Sequence, residues 1–151
     1  MLFAKFAVAA ALVFAIAPAM ADDKPDTPTS LKGGKVVRID EAKSMLDKKA
    51  AAFFDTRAVI NFGKGHIPGA TIVSYKEKSD FKADFNGAQD QFELTKLPAD
   101  KSAQVIFYSD GPKGWKSYKA AVLSIQAGYK NTMWMRDGFT GWTTKNLPVE
   151  Q

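Results

Sequence analysis

The chain has 151 residues, of which 46% are hydrophobic and 25% charged, with a formal net charge of +5 and no cysteine. Without a thiol there is no disulfide scaffold, no Cys-based zinc site, no iron–sulfur centre and no thiol nucleophile, and a single histidine, His66, excludes a multi-histidine metal site. The basic excess is mild and interspersed with acidic residues, with no like-charge run and no aromatic–basic stripe, so nothing supports nucleic-acid binding, and the length suits one globular domain.

Residues 1–21 carry one early cation, Lys5, an apolar stretch from Phe6 to Ala17, and Ala19-Met20-Ala21 at the end. This is the layout of a secretory signal with a small-x-small cleavage site. The apolar run falls short of the roughly 20 residues of a membrane span, and acidic residues follow it. The expectation is cleavage after Ala21, an exported (periplasmic or secreted) protein, and no stable membrane span once the signal is gone. Residues 22–34 are rich in Pro, Thr, Asp and Gly and read as a flexible leader to a folded domain over residues 35–151.

Lys35 to Ile39 has strand composition, and Ala42, Met45 and Leu46 fall at helical spacing within a helix Glu41 to Lys49. Ala51 to Phe54 reads as a buried strand ending in Asp55-Thr56-Arg57. A short helix follows over Ala58 to Gly65, then the turn His66-Ile-Pro-Gly69 and a strand Ala70 to Tyr75. Residues 76–103 are polar and weakly patterned, with at most a helical turn near Asp90 to Leu94. The pattern then sharpens into a strand Val105 to Tyr108, a Gly/Pro loop from Ser109 to Lys116, a helix Ser117 to Ala127 stopped by Gly128, a strand Asn131 to Met135 and a last helical turn within Gly138 to Asn146. Strands apolar along their whole length, alternating with helices, imply an α/β fold with a parallel sheet covered on both faces. Such sheets place their sites at the C-terminal ends of the strands.

That rule selects the loop Ser109-Asp-Gly-Pro-Lys-Gly-Trp-Lys116 and the helix start at Ser117. Gly111 and Gly114 leave backbone N–H groups unobstructed, the helix N-terminus adds partial positive charge, and Lys113 and Lys116 add cations, as in an anion cradle. The candidate ligand contacts are Ser109, Asp110, Gly111, Lys113, Gly114, Trp115, Lys116 and Ser117. The glycines are three apart and Trp115 precedes Lys116, so the spacing of a nucleotide phosphate loop is absent. A paired ion or turn hydrogen bond accounts for Asp55 and Arg57, while their place at the sheet's C-terminal edge keeps them among the contributors to a site. Trp115, on a loop beside two lysines, reads as a contact residue; Trp134 and Trp142 read as core.

In order along the chain, Asp55-Thr-Arg57, Phe62-x-x-Gly-His-Ile-Pro-Gly-Ala70, Val105-Ile-Phe-Tyr108, Ser117-x-x-Ala-Ala121, Gly128-Tyr129-x-Asn131 and Gly138-x-x-x-Trp142 with Leu147-Pro-Val-Glu150 resemble a single-domain rhodanese from about Val36 to the C-terminus. The resemblance implies a five-stranded parallel sheet flanked by helices, a structural His66 turn, and a persulfide-carrying cysteine directly after the strand matching Val105 to Tyr108. Here that residue is Ser109, which cannot form a persulfide and acts as a nucleophile only beside a general base. Asn61 and Asp137 also depart from the family pattern, the 109–117 loop is longer than usual, and the second cysteine that some exported relatives carry near Gly114 is absent. The expectation is an exported rhodanese-like domain with no catalytic residue, cofactor or metal, binding a small oxyanion (sulfate, thiosulfate, sulfite or phosphate) or an exported protein partner through residues 109–117. The alternatives are a sulfurtransferase-related enzyme with an unrecognised nucleophile, or a scaffold with an idle loop.

Overall fold

The computed structural model describes residues 23–151; the export signal read at residues 1–21 lies outside them. A strand β1 (Lys35–Val36) leads into helix α1 (Ile39–Asp47), then β2 (Ala52–Asp55), α2 (Val59–Lys64), β3 (Thr71–Ile72), β4 (Gln104–Tyr108), α3 (Trp115–Gln126), β5 (Asn131–Trp134) and α4 (Gly138–Thr144). The strands pair in the order β1-β5-β4-β2-β3, every pair parallel. Among the described residues no helix is long and apolar enough to cross a membrane.

The centre of the sheet follows from the run Val105-Ile-Phe-Tyr108, all four fully buried. Successive strand residues face opposite ways, so the run supplies two cores at once. Val105 and Phe107 pack with Phe54, Trp134 and the Tyr118, Ala120 and Ala121 face of α3. Ile106 and Tyr108 pack on the other side with Phe53, Ile39 and Ala42 of α1, and Trp142 of α4. This is the parallel sheet with helices on both faces that the alternation implied, and Trp134 and Trp142 are core residues as expected.

Strands β1 and β3 are shorter than expected and α1 starts earlier, at Ile39, and two further changes bear on the site. The helix after β4 begins at Trp115, not Ser117, because the turn before it closes early: the Gly114 N–H donates to the Gly111 carbonyl at 2.7 Å, and helical geometry starts at the next residue. Residues 23–34 are not a loose leader. Thr27 and Leu31 are buried, and Leu31 joins the core on the α3 side.

The long connection between β3 and β4 was the least legible part, and its order comes from side chains rather than from periodicity. It holds two 3-10 turns, Gly87–Gln89 and Leu94–Lys96. The Asp90 carboxylate gathers the segment, accepting from the Tyr75 hydroxyl (2.6 Å), the Ser79 hydroxyl (2.6 Å) and the amides of Lys78 (2.6 Å) and Ser79 (2.8 Å). Burial opposes its ionisation, but these hydrogen bonds outweigh burial and hold it below the ordinary aspartate value. Lys119 of α3, fully buried, ties the segment to the core: its ammonium donates to Glu77 Oε2 and the Ser79 carbonyl, both at 3.1 Å, and lies 4.9 Å from the centre of the Phe81 ring.

A group whose pKa is depressed on folding contributes stability that is present above its unfolded value and lost as pH falls through the folded one. Asp90→Asn is therefore expected to lower unfolding free energy at pH 7 by about 1–3 kcal/mol, the range for a hydrogen-bonded charged group. It should also flatten the loss of stability below about pH 4. Urea titrations of both proteins at pH 7 and across the acid range measure both effects.

Candidate functional site

Ser109 directly follows the last residue of β4, so it leaves the sheet at the C-terminal edge, next to the end of β2 where Asp55 lies level with Tyr108. The chain is clamped as it leaves. The Tyr108 carbonyl accepts from the amide and the hydroxyl of Thr56, both at 3.0 Å. The Ser109 carbonyl accepts from the Phe139 amide at 2.8 Å and the Asp110 carbonyl from the Thr140 amide at 2.9 Å, so the first turn of α4 caps the start of the loop. Gly138 makes this approach possible: its φ is +64°, and a Cβ there would lie 2.6 Å from backbone atoms of Asp110 and Gly111. At the loop's far end, a Cβ on Gly114 would lie 2.9 Å from Ser109 Cβ. The loop is thus folded back over Ser109.

Behind this clamp lies a buried ion pair. Arg57 reaches Asp55 through Nε (3.0 and 3.1 Å) and Nη2 (2.7 Å), and Nη2 also donates to the Gly65 carbonyl at 2.7 Å. The guanidinium carbon sits 4.1 Å from the Phe139 ring centre. Burial works against the arginine's charge, but the hydrogen bond and charge of Asp55 more than compensate, and its pKa is raised. Burial first, then the Asp55 carboxylate, pushes the Tyr108 phenol up as well. Asp55 and Arg57 are therefore the paired-ion alternative of the two readings. They satisfy each other beneath the site and do not line the cavity beside it.

That cavity measures about 530 Å³. Of the expected contacts, Ser109, Asp110, Gly111, Lys113, Gly114, Trp115 and Lys116 line it. The Ser109 hydroxyl has no hydrogen-bond partner among the described residues, yet no buried side-chain nitrogen or oxygen there lacks one, so this hydroxyl reaches the cavity. Ser117 does not line it: its hydroxyl donates to the Gly114 carbonyl and accepts from the Trp134 indole, both at 3.0 Å, and serves the helix start. The amides of Gly114 and Trp115 are used inside the loop, on the Gly111 and Lys113 carbonyls, whereas those of Gly111 and Lys113 have no protein acceptor among the described residues.

Trp115, read as a contact residue, lines the cavity from a buried position. It is 3% exposed, its ring packs edge-on against Tyr118, and its indole N–H donates to the Pro25 carbonyl at 2.8 Å. Pro25 belongs to a strap, residues 23–31, that lies across the loop. Thr27 donates from its amide (2.8 Å) and hydroxyl (2.5 Å) to the Pro112 carbonyl, and Arg136 binds the Thr27 hydroxyl and the carbonyls of Thr27 and Pro28. The strap brings Lys24 and Asp26 into the cavity wall, and the β3–β4 connection brings Glu77. The sequence reading missed these three residues, as it missed Thr140. Among the described residues no group of three His, Asp or Glu is placed to hold a metal ion. His66 is not a base for Ser109. Its ring stacks on Phe62, Nδ1 lies 2.9 Å from the Phe62 carbonyl, and Nε2 lies 3.5 Å from the Glu150 carboxylate.

The rhodanese-like domain model matches residues 38–145. The chain belongs to the rhodanese-like domain family. An uncharacterized Escherichia coli protein, YibN, is 31% identical to this rhodanese-like domain over 115 residues, 76% of this chain and 71% of that one. Among solved structures, the BH2092 protein of Bacillus halodurans superposes with a TM-score of 0.60 at 22% identity, covering 77% of this chain and 76% of that one. A thiosulfate sulfurtransferase from Pseudomonas aeruginosa gives 0.57 at 22% identity, covering 80% of this chain and 21% of that one. These superpositions establish the shared fold.

Removing one member of a buried pair leaves the other charged and unpaired, which costs about 3–5 kcal/mol, whereas replacing both with apolar residues of similar volume is close to neutral. Arg57→Leu is thus expected to lower stability by about that amount, and adding Asp55→Leu to recover a large part of it. Thermal and urea unfolding of the two variants measures both.

Proposed function

We propose that this rhodanese-like domain is an exported, non-catalytic binding module whose loop 109–117 holds a small oxyanion or the acidic group of an exported partner. The observation that carries the reading is the position of Ser109: a serine directly follows β4 at the cavity, in a chain with no cysteine. Sulfur transfer needs a thiolate that attacks a sulfane donor and later leaves, and a hydroxyl forms no persulfide. With His66 engaged by Phe62 and Glu150, no imidazole is available to activate Ser109. What remains at the loop suits binding: Lys113, Lys116 and the amides of Gly111 and Lys113. Charge-assisted hydrogen bonds of about 1.5–3 kcal/mol each give weak to moderate affinity when several converge.

The purified protein is expected to produce no thiocyanate from thiosulfate and cyanide. Turnover that disappears in Ser109→Ala would overturn the non-catalytic reading. Titration with sulfate, thiosulfate, sulfite and phosphate is expected to move the backbone amide signals of Gly111 to Lys116; an unchanged spectrum with all four leaves no oxyanion site. Export through a signal in residues 1–21 predicts a mature chain beginning at Asp22, which the intact mass of the protein from the exported fraction checks directly.

A further inference from the structure

The cavity beside Ser109 is lined by three cations and three carboxylates, Lys24, Lys113 and Lys116 against Asp26, Glu77 and Asp110. A site shaped for an oxyanion alone gains nothing from carboxylates on its rim, since each opposes the ligand's charge as an ammonium favours it. Four of the six groups are already matched. Lys24 Nζ lies 3.7 Å from Glu77 Oε1 and Lys113 Nζ lies 4.0 Å from Asp26 Oδ1. Glu77 is held further by the buried ammonium of Lys119 at 3.1 Å. Asp110 and Lys116 remain, one at the start of the loop and one just past its end, with no ion pair for either among the described residues. Asp110 acts at longer range on Arg57, whose hydrogen bonds go to Asp55 and the Gly65 carbonyl, so one carboxylate and one ammonium stay without a contacting counter-charge on the wall of a single cavity.

We infer that this cavity takes a small zwitterion, a molecule carrying both an ammonium and an acidic group, with the acidic end toward Lys116 and the ammonium toward Asp110. The inference rests on the reading of the 109–117 loop as a binding site and gives its ligand a class. A zwitterion gives both groups a contacting counter-charge at once, whereas a simple oxyanion leaves Asp110 facing it. The unpaired Gly111 and Lys113 amides add donors for the acidic end. The Ser109 hydroxyl donates or accepts and so suits either end.

The test uses 2-aminoethanesulfonate and its two halves, ethanesulfonate and ethylammonium, at matched ionic strength. Each is titrated into the purified protein by calorimetry with amide chemical shifts recorded in parallel. The zwitterion is expected to bind at least about tenfold more tightly than either half. Asp110→Asn should remove most of that preference by weakening the zwitterion and strengthening ethanesulfonate, and Lys116→Gln should weaken both sulfonates. Amide signals away from the loop report that the variants are folded, and the three-probe comparison on the unaltered protein stands without them. Ethanesulfonate binding as tightly as the zwitterion overturns the inference and leaves the oxyanion reading intact. Absence of heat and of shifts with all three probes overturns the inference, as does ethylammonium binding as tightly as the zwitterion, and the four inorganic anions decide the oxyanion reading separately.

Discussion

The Asp55–Arg57 pair is the constraint from which the site end of the molecule is built. An ion pair out of contact with water is stable only when its remaining donors and acceptors are met. Here Arg57 binds the Gly65 carbonyl and lies on the Phe139 ring, its own carbonyl accepts from the Ser74 hydroxyl, and its amide donates to the Asp55 carboxylate. One residue, through side chain and backbone together, therefore gathers the ends of β2, α2 and α4 and the segment after β3. With those fixed, Thr56 and the first turn of α4 can hold the three carbonyls at the end of β4. The geometry around Ser109 follows from charge satisfied beneath it.

The cavity itself is assembled from pieces secured in different ways. The loop is held by backbone hydrogen bonds and by the absence of side chains at Gly114 and Gly138. The Glu77 wall is held by Lys119, and behind it the segment is held by the four donors on Asp90. The strap is held through carbonyls, by Trp115, Arg136 and its own contacts to Pro112. Each wall thus has an anchor in the interior, and the exposed tips of Asp26, Asp110 and Lys113 can differ without disturbing the sheet, whereas Glu77 belongs to the anchor through Lys119.

The sheet was legible because β4 and β2 are short apolar runs whose two faces are both covered, and the helices because small and apolar residues recur at helical spacing. The loop was legible because a glycine-rich stretch joins the clearest strand to the clearest helix. The strap and the β3–β4 connection were not, since Thr, Pro, Asp and Lys carry no periodicity and their order depends on partners distant in sequence. Trp115 was read as a contact residue because two lysines flank it; its indole is tied down by Pro25, which composition cannot pair with it. Asp90 looks like any polar residue until four donors converge on it. The resemblance located Ser109, and only the fold brings Lys24, Asp26, Glu77 and Thr140 to the same opening.

The strap also orders events in time. Its hydrogen bonds join residues separated by 85 to 109 positions, from Thr27 to Pro112 and to Arg136. Contacts of such separation bear the largest loop-closure entropy and form late relative to local structure. During synthesis Lys24 and Asp26 emerge well before the loop, and Arg136 emerges near the end of the chain. The part of the cavity wall made first therefore cannot be secured until Arg136, one of its holders, has emerged.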